Sequence, residues 1–332
     1  MRAIVLEKVD SIDRKPLREK ESPLPEPGAG EIRVRVKACG VCRTDLHIVE
    51  GELPRRKLPV IPGHQIVGIV EARGERAGRF QEGQRVGIPW LHQTCGSCQF
   101  CGSDRENLCE KGEFTGYTVD GGYAEYTVVP EDFAYPIPQT FSDAAATPLL
   151  CAGIIGYRSL KLTKIRSGQR LGLYGFGQSA HITIQVARHW DCEVCVFTRS
   201  QQHRQLAQQL GAAWTGGSED TPPGKINATI IFAPVGKLVP DALRVLEKGG
   251  VIVLAGIYMT PIPPLEYESI YHERTILSAA NSTREDAREL LQLAGEIPIR
   301  TEVETFPLNE ANQALLKLKN SQINGAAALL VG

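Results

Sequence analysis

Residues 171–180, which read LGLYGFGQSA, decide the fold of the second half of the chain. Gly175, Gly177 and Ala180 form a G-x-G-x-x-A turn between a predicted strand and a predicted helix. In such a turn the first glycine permits the tight bend, the second lets the backbone approach a pyrophosphate, and the small third residue allows close helix packing. The phosphates would lie at the helix amino terminus, where backbone N–H groups are unpaired. The stretch therefore predicts a dinucleotide-binding turn.

Strands and helical segments alternate on both sides of this turn from about residue 155 onward. The apolar runs RLGLYGF, EVCVFTRS, ATIIFAP, VIVLAGI and TILSAA are separated by the helical segments QSAHITIQVARHW, QQHRQLAQQLG and PDALRVLEKG. Apolar strands with helical crossovers are typical of a parallel sheet covered on both faces. We therefore expect an α/β fold with a doubly wound Rossmann domain over residues 154–284.

The first 150 residues follow a different pattern. Short β-type runs, EIRVRVKAC, IVGIVEA, QRVGIPW and YAEYTVV, are separated by Gly- and Pro-rich turns, which favours a β barrel or sandwich. Near the carboxyl end, the helix STREDARELLQLAGE, with Ser282 or Thr283 as its N-cap, and the elements after it do not continue the alternation. We assign them to the first domain, which is then expected over residues 1–153 and 285–332.

Four cysteines lie within fifteen residues in CGSCQFCGSDRENLC, namely Cys95, Cys98, Cys101 and Cys109. Their C-x2-C-x2-C-x7-C spacing lets one lobe, over residues 92–112, wrap four thiolates around a tetrahedral Zn²⁺ ion. Because all four positions are filled, this metal is expected to be structural and catalysis must take place elsewhere. Of the other cysteines, Cys192 and Cys195 are predicted to be small core residues.

Composition narrows the class of protein. The chain has 332 residues, 42% of them hydrophobic, and a formal net charge of −1. Without a basic excess, neither a nucleic-acid partner nor an anionic membrane is expected. The amino terminus is charged and lacks an apolar signal segment, so we expect a cytoplasmic protein. The length of the chain predicts two hydrophobic cores. In the cytoplasm, clustered thiols are expected to bind metal rather than form disulfides.

The end of the second Rossmann strand indicates which dinucleotide is bound. An NAD site usually carries Asp or Glu here, whereas this chain reads Thr198-Arg199-Ser200. Arg199 could bind a 2′-phosphate, with Ser200, His203 and Arg204 as helpers, so NADP is favoured over NAD. The alternative is that Arg199 lies in solvent over the adenine and that NAD is used.

The chain resembles the zinc-dependent medium-chain alcohol dehydrogenase family of the medium-chain dehydrogenase/reductase superfamily. The likeness runs from ACGVCRTDLH through PGHQIVG and the four-cysteine lobe to INGAAALLVG, and so covers essentially the whole chain. It implies a GroES-like, β-rich catalytic domain beside the Rossmann domain, two zinc ions per chain, and a homodimer or homotetramer.

The resemblance also implies a second metal set. Cys42, His64 and Cys151 match the family's catalytic zinc ligands, and two thiolates with one imidazole leave a fourth tetrahedral position open for substrate. Cys39, the other cysteine of the second C-x2-C, is not a ligand in the family and is expected to be a buried thiol. His64 by itself would more often be a structural histidine than a ligand.

Four further positions match family residues around the catalytic zinc. Asp45 matches a carboxylate behind the ligands, Thr44 a hydroxyl that contacts the substrate oxygen, and His47 the outer end of a proton relay. Trp90 matches a residue of the substrate pocket. From the residues alone, these side chains could instead be ordinary polar groups of a loop after Cys42, and a buried tryptophan is often only core.

The chain departs from the family pattern at three positions. Gln65 replaces a frequent Glu after the ligand histidine, Ile155 replaces a Thr beside the nicotinamide, and Ala326 replaces an Arg that contacts the pyrophosphate. These departures concern metal exchange and cofactor affinity rather than the chemistry itself.

The expected reaction is reversible hydride transfer between a primary alcohol or aldehyde and a nicotinamide cofactor, with zinc as Lewis acid. With NADP(H), aldehyde reduction is the expected physiological direction. Two other readings remain: a zinc-free quinone or enoyl reductase of the same architecture, and a noncatalytic nucleotide-binding redox sensor that keeps only the four-cysteine zinc.

Overall fold

The computed structural model describes residues 1–54, 57–323 and 325–332. These residues form two compact units, one made of Met1–Cys151 with Thr283–Gly332 and the other of Ala152–Ser282. The strands, in chain order, are β1 (Arg2–Leu6), β2 (Leu17–Glu21), β3 (Glu31–Val41), β4 (Ile66–Arg73), β5 (Arg85–Ile88), β6 (Leu91–Gln93), β7 (Glu113–Phe114), β8 (Tyr126–Pro130), β9 (Tyr135–Pro136), β10 (Arg170–Tyr174), β11 (Glu193–Phe197), β12 (Trp214–Gly216), β13 (Ile226–Ile231), β14 (Leu246–Leu254), β15 (Thr275–Ser278), β16 (Val303–Pro307) and β17 (Ala326–Leu330). The α-helices are α1 (Arg43–Glu50), α2 (Asp143–Ala146), α3 (Ala152–Thr163), α4 (Gln178–His189), α5 (Gln201–Gln209), α6 (Leu238–Val245), α7 (Tyr267–Ile270), α8 (Arg284–Glu296) and α9 (Ala311–Lys319).

The second unit is built on a six-stranded sheet in the order β12-β11-β10-β13-β14-β15, and every pairing in it is parallel. Strands β10 and β11 each bury four of their five residues, as expected for strands covered by helices on both faces. The strand order changes direction between β10 and β13, where a doubly wound sheet opens a crevice at its carboxyl edge. The predicted Rossmann fold is confirmed.

One helix of this unit is shorter than predicted. The segment 240–249 reads as a helix to its end, but α6 ends at Val245 and β14 begins at Leu246. Two glycines follow in EKGG, and Gly249 adopts a φ of +69°, which a helix cannot accommodate. The prediction was wrong here because the glycine pair ends the helix earlier than its apolar spacing suggests.

The first unit contains a seven-stranded sheet in the order β16-β17-β3-β4-β5-β9, with β8 also paired to β3. Strand β3 lies at its centre, and its Ile32, Val34 and Val36 are at most 1% exposed. Each such side chain contributes about 1.5–3 kcal/mol when fully buried. Strand β17 pairs antiparallel with β3, so the last strand of the chain completes the sheet of the amino-terminal half.

The polar residues after Cys42 are helical, which corrects the expectation of a loop. Cys42 is extended and serves as N-cap of α1: its Sγ accepts a hydrogen bond from Thr44 N at 3.3 Å, and Asp45 Oδ2 accepts from Cys42 N at 2.9 Å. This is a capping box with an aspartate at the third helical position. The helix ends at Gly51, whose φ of +75° is left-handed.

No helix in the described residues combines the length and the apolar character needed to span a bilayer.

Candidate active site

Cys42, His64 and Cys151 converge on one point of the first unit. Cys42 precedes α1, His64 lies just before β4, and Cys151 follows a short 3₁₀ turn, Thr147–Leu150. Their ligand atoms all lie within 4.8 Å of one another, and Cys42 Sγ is 3.3 Å from His64 Nε2. Three segments far apart in sequence therefore present two sulfurs and one ring nitrogen together.

The spacing of these atoms fits zinc. With Zn–S near 2.3 Å and Zn–N near 2.0–2.1 Å, tetrahedral geometry places the sulfur and nitrogen about 3.6 Å apart. The hydrogen bond with Cys151, followed by burial, raises the pKa of the Cys42 thiol well above its usual value. Because zinc binds the thiolate, loading the site must expel this proton.

Asp45 holds two of the three candidate ligands. Its Oδ1 accepts a hydrogen bond from His64 Nδ1 at 3.0 Å, while its Oδ2 accepts from the backbone of Cys42. With Nδ1 protonated, His64 presents its Nε2 lone pair toward Cys42 Sγ. Burial opposes protonation of His64, but Asp45 and Cys42 raise its pKa well above the usual value. A carboxylate in this position orients a metal-binding histidine and increases its basicity. Asp45 is fully buried, so the surface-loop alternative was wrong.

The turn before His64 requires a glycine at position 63 for steric reasons. Gly63 has a φ of +97°, and a Cβ there would lie 2.4 Å from the Tyr123 ring and 2.7 Å from Cys39 Sγ. Burial first, and then the charge of Asp45, raise the pKa of the Tyr123 phenol well above its usual value. Sequence reasoning missed Tyr123, because an aromatic residue in GGYAEY reads as ordinary core. Cys39 is fully buried, as expected.

Thr44 and His47 lie three residues apart on α1, and therefore on the same helix face. Thr44 is 7% exposed, and its N–H bonds Cys42 Sγ. His47 Nδ1 is hydrogen-bonded to the carboxylate of Glu52, a residue that the sequence analysis did not single out. The helix thus places the backbone of Thr44 beside a candidate ligand and His47 one turn further along.

Trp90 lies against the imidazole of His64. The two ring centroids are 5.0 Å apart in an edge-to-face arrangement, while Phe114 and Tyr117 stack on the indole at 5.2 and 5.6 Å. The Tyr117 hydroxyl donates to the carbonyl of Pro54. Phe114 and Tyr117 were missed because each is an isolated aromatic residue after the lobe. The three stacked rings form a wall beside the candidate metal position.

The four cysteines of the lobe also meet. Their sulfurs lie within 4.8 Å of one another, with Cys98–Cys101, Cys95–Cys109 and Cys95–Cys101 separations of 3.5, 3.6 and 3.9 Å. Tetrahedral zinc with four sulfurs requires about 3.8 Å. Backbone N–H groups of Ser97 and Cys98 lower the pKa of Cys95 to about 6, which favours the thiolate that a metal binds. The donor set fits a closed, four-sulfur zinc site.

The glycine-rich turn lies between β10 and α4 in the second unit. Gly175 has a φ of +86°, and a Cβ there would lie 3.0 Å from Ala233 N. Gly177 is the N-cap of α4, and a Cβ on it would meet no atom within 4 Å. Ala180 is fully buried under the first turn of the helix. Open space therefore lies at the amino terminus of α4, as a pyrophosphate requires.

The residues after β11 have distinct local contacts. Thr198 is buried, with its N–H bonded to Gly216 O at 2.8 Å, and Ser200 caps α5 by accepting from His203 N. Arg204 Nε donates to Thr198 O at 2.9 Å, whereas Arg199 is exposed. Arg199 is therefore a solvent-accessible cation at the carboxyl edge of the sheet.

Comparison with known proteins decides the family. Residues 28–139 match the family model described as an alcohol dehydrogenase GroES-like domain, and residues 180–296 match the model described as a zinc-binding dehydrogenase. A protein of Mycobacterium tuberculosis named as a probable alcohol dehydrogenase, AdhA, is 48% identical over 326 residues, covering 96% of this chain and 94% of its own. The chain belongs to the zinc-type medium-chain alcohol dehydrogenase family.

Solved structures of dehydrogenases show the same architecture. Acetophenone reductase from Geotrichum candidum in complex with NAD has a TM-score of 0.89 at 26% identity, covering 99% of this chain and 97% of that one. A zinc-binding dehydrogenase from Sinorhizobium meliloti bound to NADP has a TM-score of 0.85 at 26% identity, covering 99% of both chains. The resemblance inferred from the sequence is confirmed, and this alcohol dehydrogenase is an oxidoreductase.

The three departures from the family pattern have defined places in this alcohol dehydrogenase. Gln65 is 1% exposed and packs over Gly40, where a Cβ would come within 2.9 Å of it. Ile155 lies on α3 and is partly buried. Ala326 is the buried first residue of β17, and its N–H bonds Glu302 O at 2.8 Å. A neutral amide thus stands directly after the ligand candidate His64.

Proposed function

We propose that this alcohol dehydrogenase catalyses reversible hydride transfer between a primary alcohol or its aldehyde and NADP(H). The observation that carries the proposal is the convergence of Cys42, His64 and Cys151, a three-ligand set that leaves one tetrahedral position for a substrate oxygen. Membership of the alcohol dehydrogenase family supports the reaction class.

Each residue of the site has a proposed task. Zinc, when bound, supplies Lewis-acid polarisation of the substrate oxygen, and the nicotinamide, when bound, exchanges hydride with the substrate carbon. Asp45 fixes the orientation of His64 and of the Cys42 backbone. The Thr44 hydroxyl accepts the proton that the substrate hydroxyl releases as it gives up its own to the relay, and His47, at the outer end of the relay, passes a proton to solvent.

The preference for NADP(H) rests on Arg199. It is exposed directly after β11, where this chain carries no carboxylate to repel a 2′-phosphate. One charge-assisted hydrogen bond contributes roughly 1.5–3 kcal/mol, which corresponds to a preference of about 10- to 100-fold. The two structural relatives bind NAD in one case and NADP in the other, so the preference depends on this chain's own residues.

The aromatic wall supports a narrow substrate class. Trp90, Phe114 and Tyr117 stack beside His64 and would crowd a branched carbon attached to the reacting centre. Unbranched or aromatic primary alcohols and their aldehydes fit such a surface better than bulky secondary alcohols. With a reduced NADP pool, aldehyde reduction is the direction that we propose in the cytoplasm.

The four-cysteine lobe is proposed to hold a second, structural zinc ion, which gives two per chain. The homodimer or homotetramer that the family resemblance implies stays a prediction, and sedimentation velocity of the purified protein would test it.

Metal content and turnover together test the function. We expect two zinc ions per chain by elemental analysis, with turnover of primary alcohols or aldehydes on a panel run with NADP(H) and NAD(H). Cys151→Ser should retain one zinc ion and lose turnover. Cys192 is a buried cysteine outside both metal sets, so Cys192→Ser should retain both zinc ions and turnover.

The rival readings predict different results. A zinc-free quinone or enoyl reductase would hold no zinc and reduce activated double bonds. A noncatalytic sensor would hold one zinc ion and turn over nothing on the panel. Full activity of the Cys151→Ser variant would contradict the proposed site.

A further inference from the structure

We propose that Glu52 is a positioning residue that holds the imidazole of His47 in a single tautomer, with the proton on Nδ1 and with Nε2 as the ring nitrogen that accepts the relayed proton. The inference rests on the relay role of His47 in the proposed function. It names the group that decides which ring nitrogen of His47 carries a proton and which one accepts a proton.

The end of α1 brings the two residues together. Gly51 leaves the helix with a φ of +75° and a ψ of 22°, and the Glu52 N–H then bonds back to His47 O at 2.9 Å. A left-handed glycine at this position turns the chain back across the last helical turn. Glu52 is therefore fixed over the residue that carries the candidate relay imidazole.

The side chains complete this arrangement. The Glu52 carboxylate is hydrogen-bonded to His47 Nδ1, and only 16% of the His47 side chain is exposed, against 48% for Glu52. An ionised carboxylate can only accept hydrogen bonds, so Nδ1 must carry the proton in this contact. A neutral imidazole has one N–H, so its Nε2 keeps the lone pair.

The neighbouring acid on the same helix cannot do this. Glu50, the last residue of α1, accepts hydrogen bonds from Lys319 Nζ and from Ile12 N, both at 3.0 Å. It therefore belongs to a separate hydrogen-bond network. Glu52 rather than Glu50 bonds His47 because the turn at Gly51 brings it back over the helix, and not because acidic residues are common in this segment. Asp45 has the same relation to His64 Nδ1, so two carboxylates of this segment each fix one imidazole.

Histidine ¹⁵N NMR on the full chain reads the tautomer directly and does not require turnover. The His47 signals would be assigned by their loss in His47→Gln. In the wild type we expect Nδ1 protonated and Nε2 unprotonated. Glu52→Ala should shift His47 toward the Nε2-protonated form that free histidine favours in water, and Glu52→Gln, which keeps the side-chain shape, should give a mixture.

Kinetics supply the second readout. Glu52→Ala should lower kcat about tenfold with KM unchanged, less than the roughly 10²–10⁴-fold loss typical of a group that itself transfers the proton. Added imidazole should restore part of the rate. Glu50→Gln, which removes the same charge two residues earlier, at the last position of α1, should change neither the tautomer nor kcat.

The outcomes separate this inference from the function on which it rests. An Nδ1-protonated His47 in both Glu52 variants, or an equal effect of Glu50→Gln, would overturn the positioning role. An unchanged kcat in His47→Gln would overturn the proposed relay, whatever the spectra of the Glu52 variants show.

Discussion

Asp45 Oδ1 lies 3.0 Å from His64 Nδ1, and neither side chain is exposed to solvent. The second oxygen of the same carboxylate accepts from the backbone of Cys42. One buried group therefore holds two candidate metal ligands that are 22 residues apart in the chain. Because a buried charge is costly unless it is paired, the carboxylate and the imidazole each depend on the other.

Replacing Asp45 by Asn should weaken the three-ligand metal site. The amide keeps the shape but loses the charge that orients and polarises His64, so zinc affinity should fall about 10- to 100-fold. Competition with a chromophoric chelator measures the affinity. Asp143→Asn is the matched control, because its carboxylate bonds Arg85 at 2.7 Å elsewhere in the same unit. An unchanged zinc affinity in Asp45→Asn would remove Asp45 from the site.

The two metal sets should fail in different ways. Cys98→Ser opens a closed four-sulfur site, so the melting temperature should fall, because a structural zinc ion contributes folding free energy directly. Cys151→Ser should abolish turnover with a much smaller change in melting temperature. Differential scanning calorimetry and zinc content, measured on both variants, check this. Equal losses of stability would contradict the division into a structural and a catalytic ion.

Reversing the charge at Arg199 should invert the cofactor preference. Arg199→Asp introduces a carboxylate that repels a 2′-phosphate and can bond ribose hydroxyls, so the ratio of kcat/KM with NADPH to that with NADH should fall at least about 10-fold. Lys248→Asp makes the same change of charge near the start of β14, at the opposite edge of the parallel sheet. Lys248→Asp should leave the ratio at its wild-type value, and an unchanged ratio in Arg199→Asp would remove Arg199 from the phosphate site.

Acid should destabilise the fold through His92. Burial lowers the pKa of this histidine to about 4, whereas an unfolded histidine titrates near 6.5. Between these values the unfolded chain takes up a proton that the folded chain does not, so the free energy of unfolding decreases as pH falls, by at most about 1.4 kcal/mol per pH unit.

The His92→Leu variant should remove this contribution. Urea unfolding at pH 7, 6 and 5 should show a shallower loss of stability in the variant than in the wild type. Part of the dependence should remain, because burial also lowers the pKa of His181 to about 4. Parallel curves for the two proteins would exclude His92 as a source of acid sensitivity.

Removing the indole of Trp90 should widen the substrate range. Trp90→Ala deletes the ring that packs edge-on against His64, so kcat/KM for branched secondary alcohols should rise relative to unbranched primary ones. Trp190→Ala, in the second unit, should leave this ratio unchanged. The measurement is a competition between the two alcohol classes, and an unaltered ratio in Trp90→Ala would place the indole outside the pocket.

The family and both fold types could be predicted from the sequence because they depend on local patterns. The alternation of apolar runs with helical segments specifies β10 to β15, and the glycine turn fixes where β10 ends. Helix α1 escaped prediction because its N-cap is a cysteine, whose thiol is not among the usual capping groups. The apolar spacing of residues 240–249 favours a longer helix, but α6 ends early because Gly249, the first of two glycines, adopts a left-handed conformation.

Other features depend on contacts that no local pattern specifies. The stack of Trp90 with Phe114 and Tyr117 joins residues on either side of the cysteine lobe. The bond from His47 to Glu52 requires the left-handed conformation of Gly51, which a sequence pattern alone does not distinguish from an ordinary turn glycine. Ligand identities could be proposed from the family resemblance, but their separations required the folded chain.

The antiparallel pairing of Val41 with Ala327 has a consequence for biosynthesis. Val41 ends β3 immediately before Cys42, so the strand that leads into this ligand candidate gains β17 as a neighbour, in addition to β4, only after residues 326–330 have been synthesised. The inserted unit, Ala152–Ser282, can close its own sheet earlier in translation. We therefore expect the three-ligand site to bind metal only after β17 has paired with β3, and chains stalled before β17 should hold zinc there poorly.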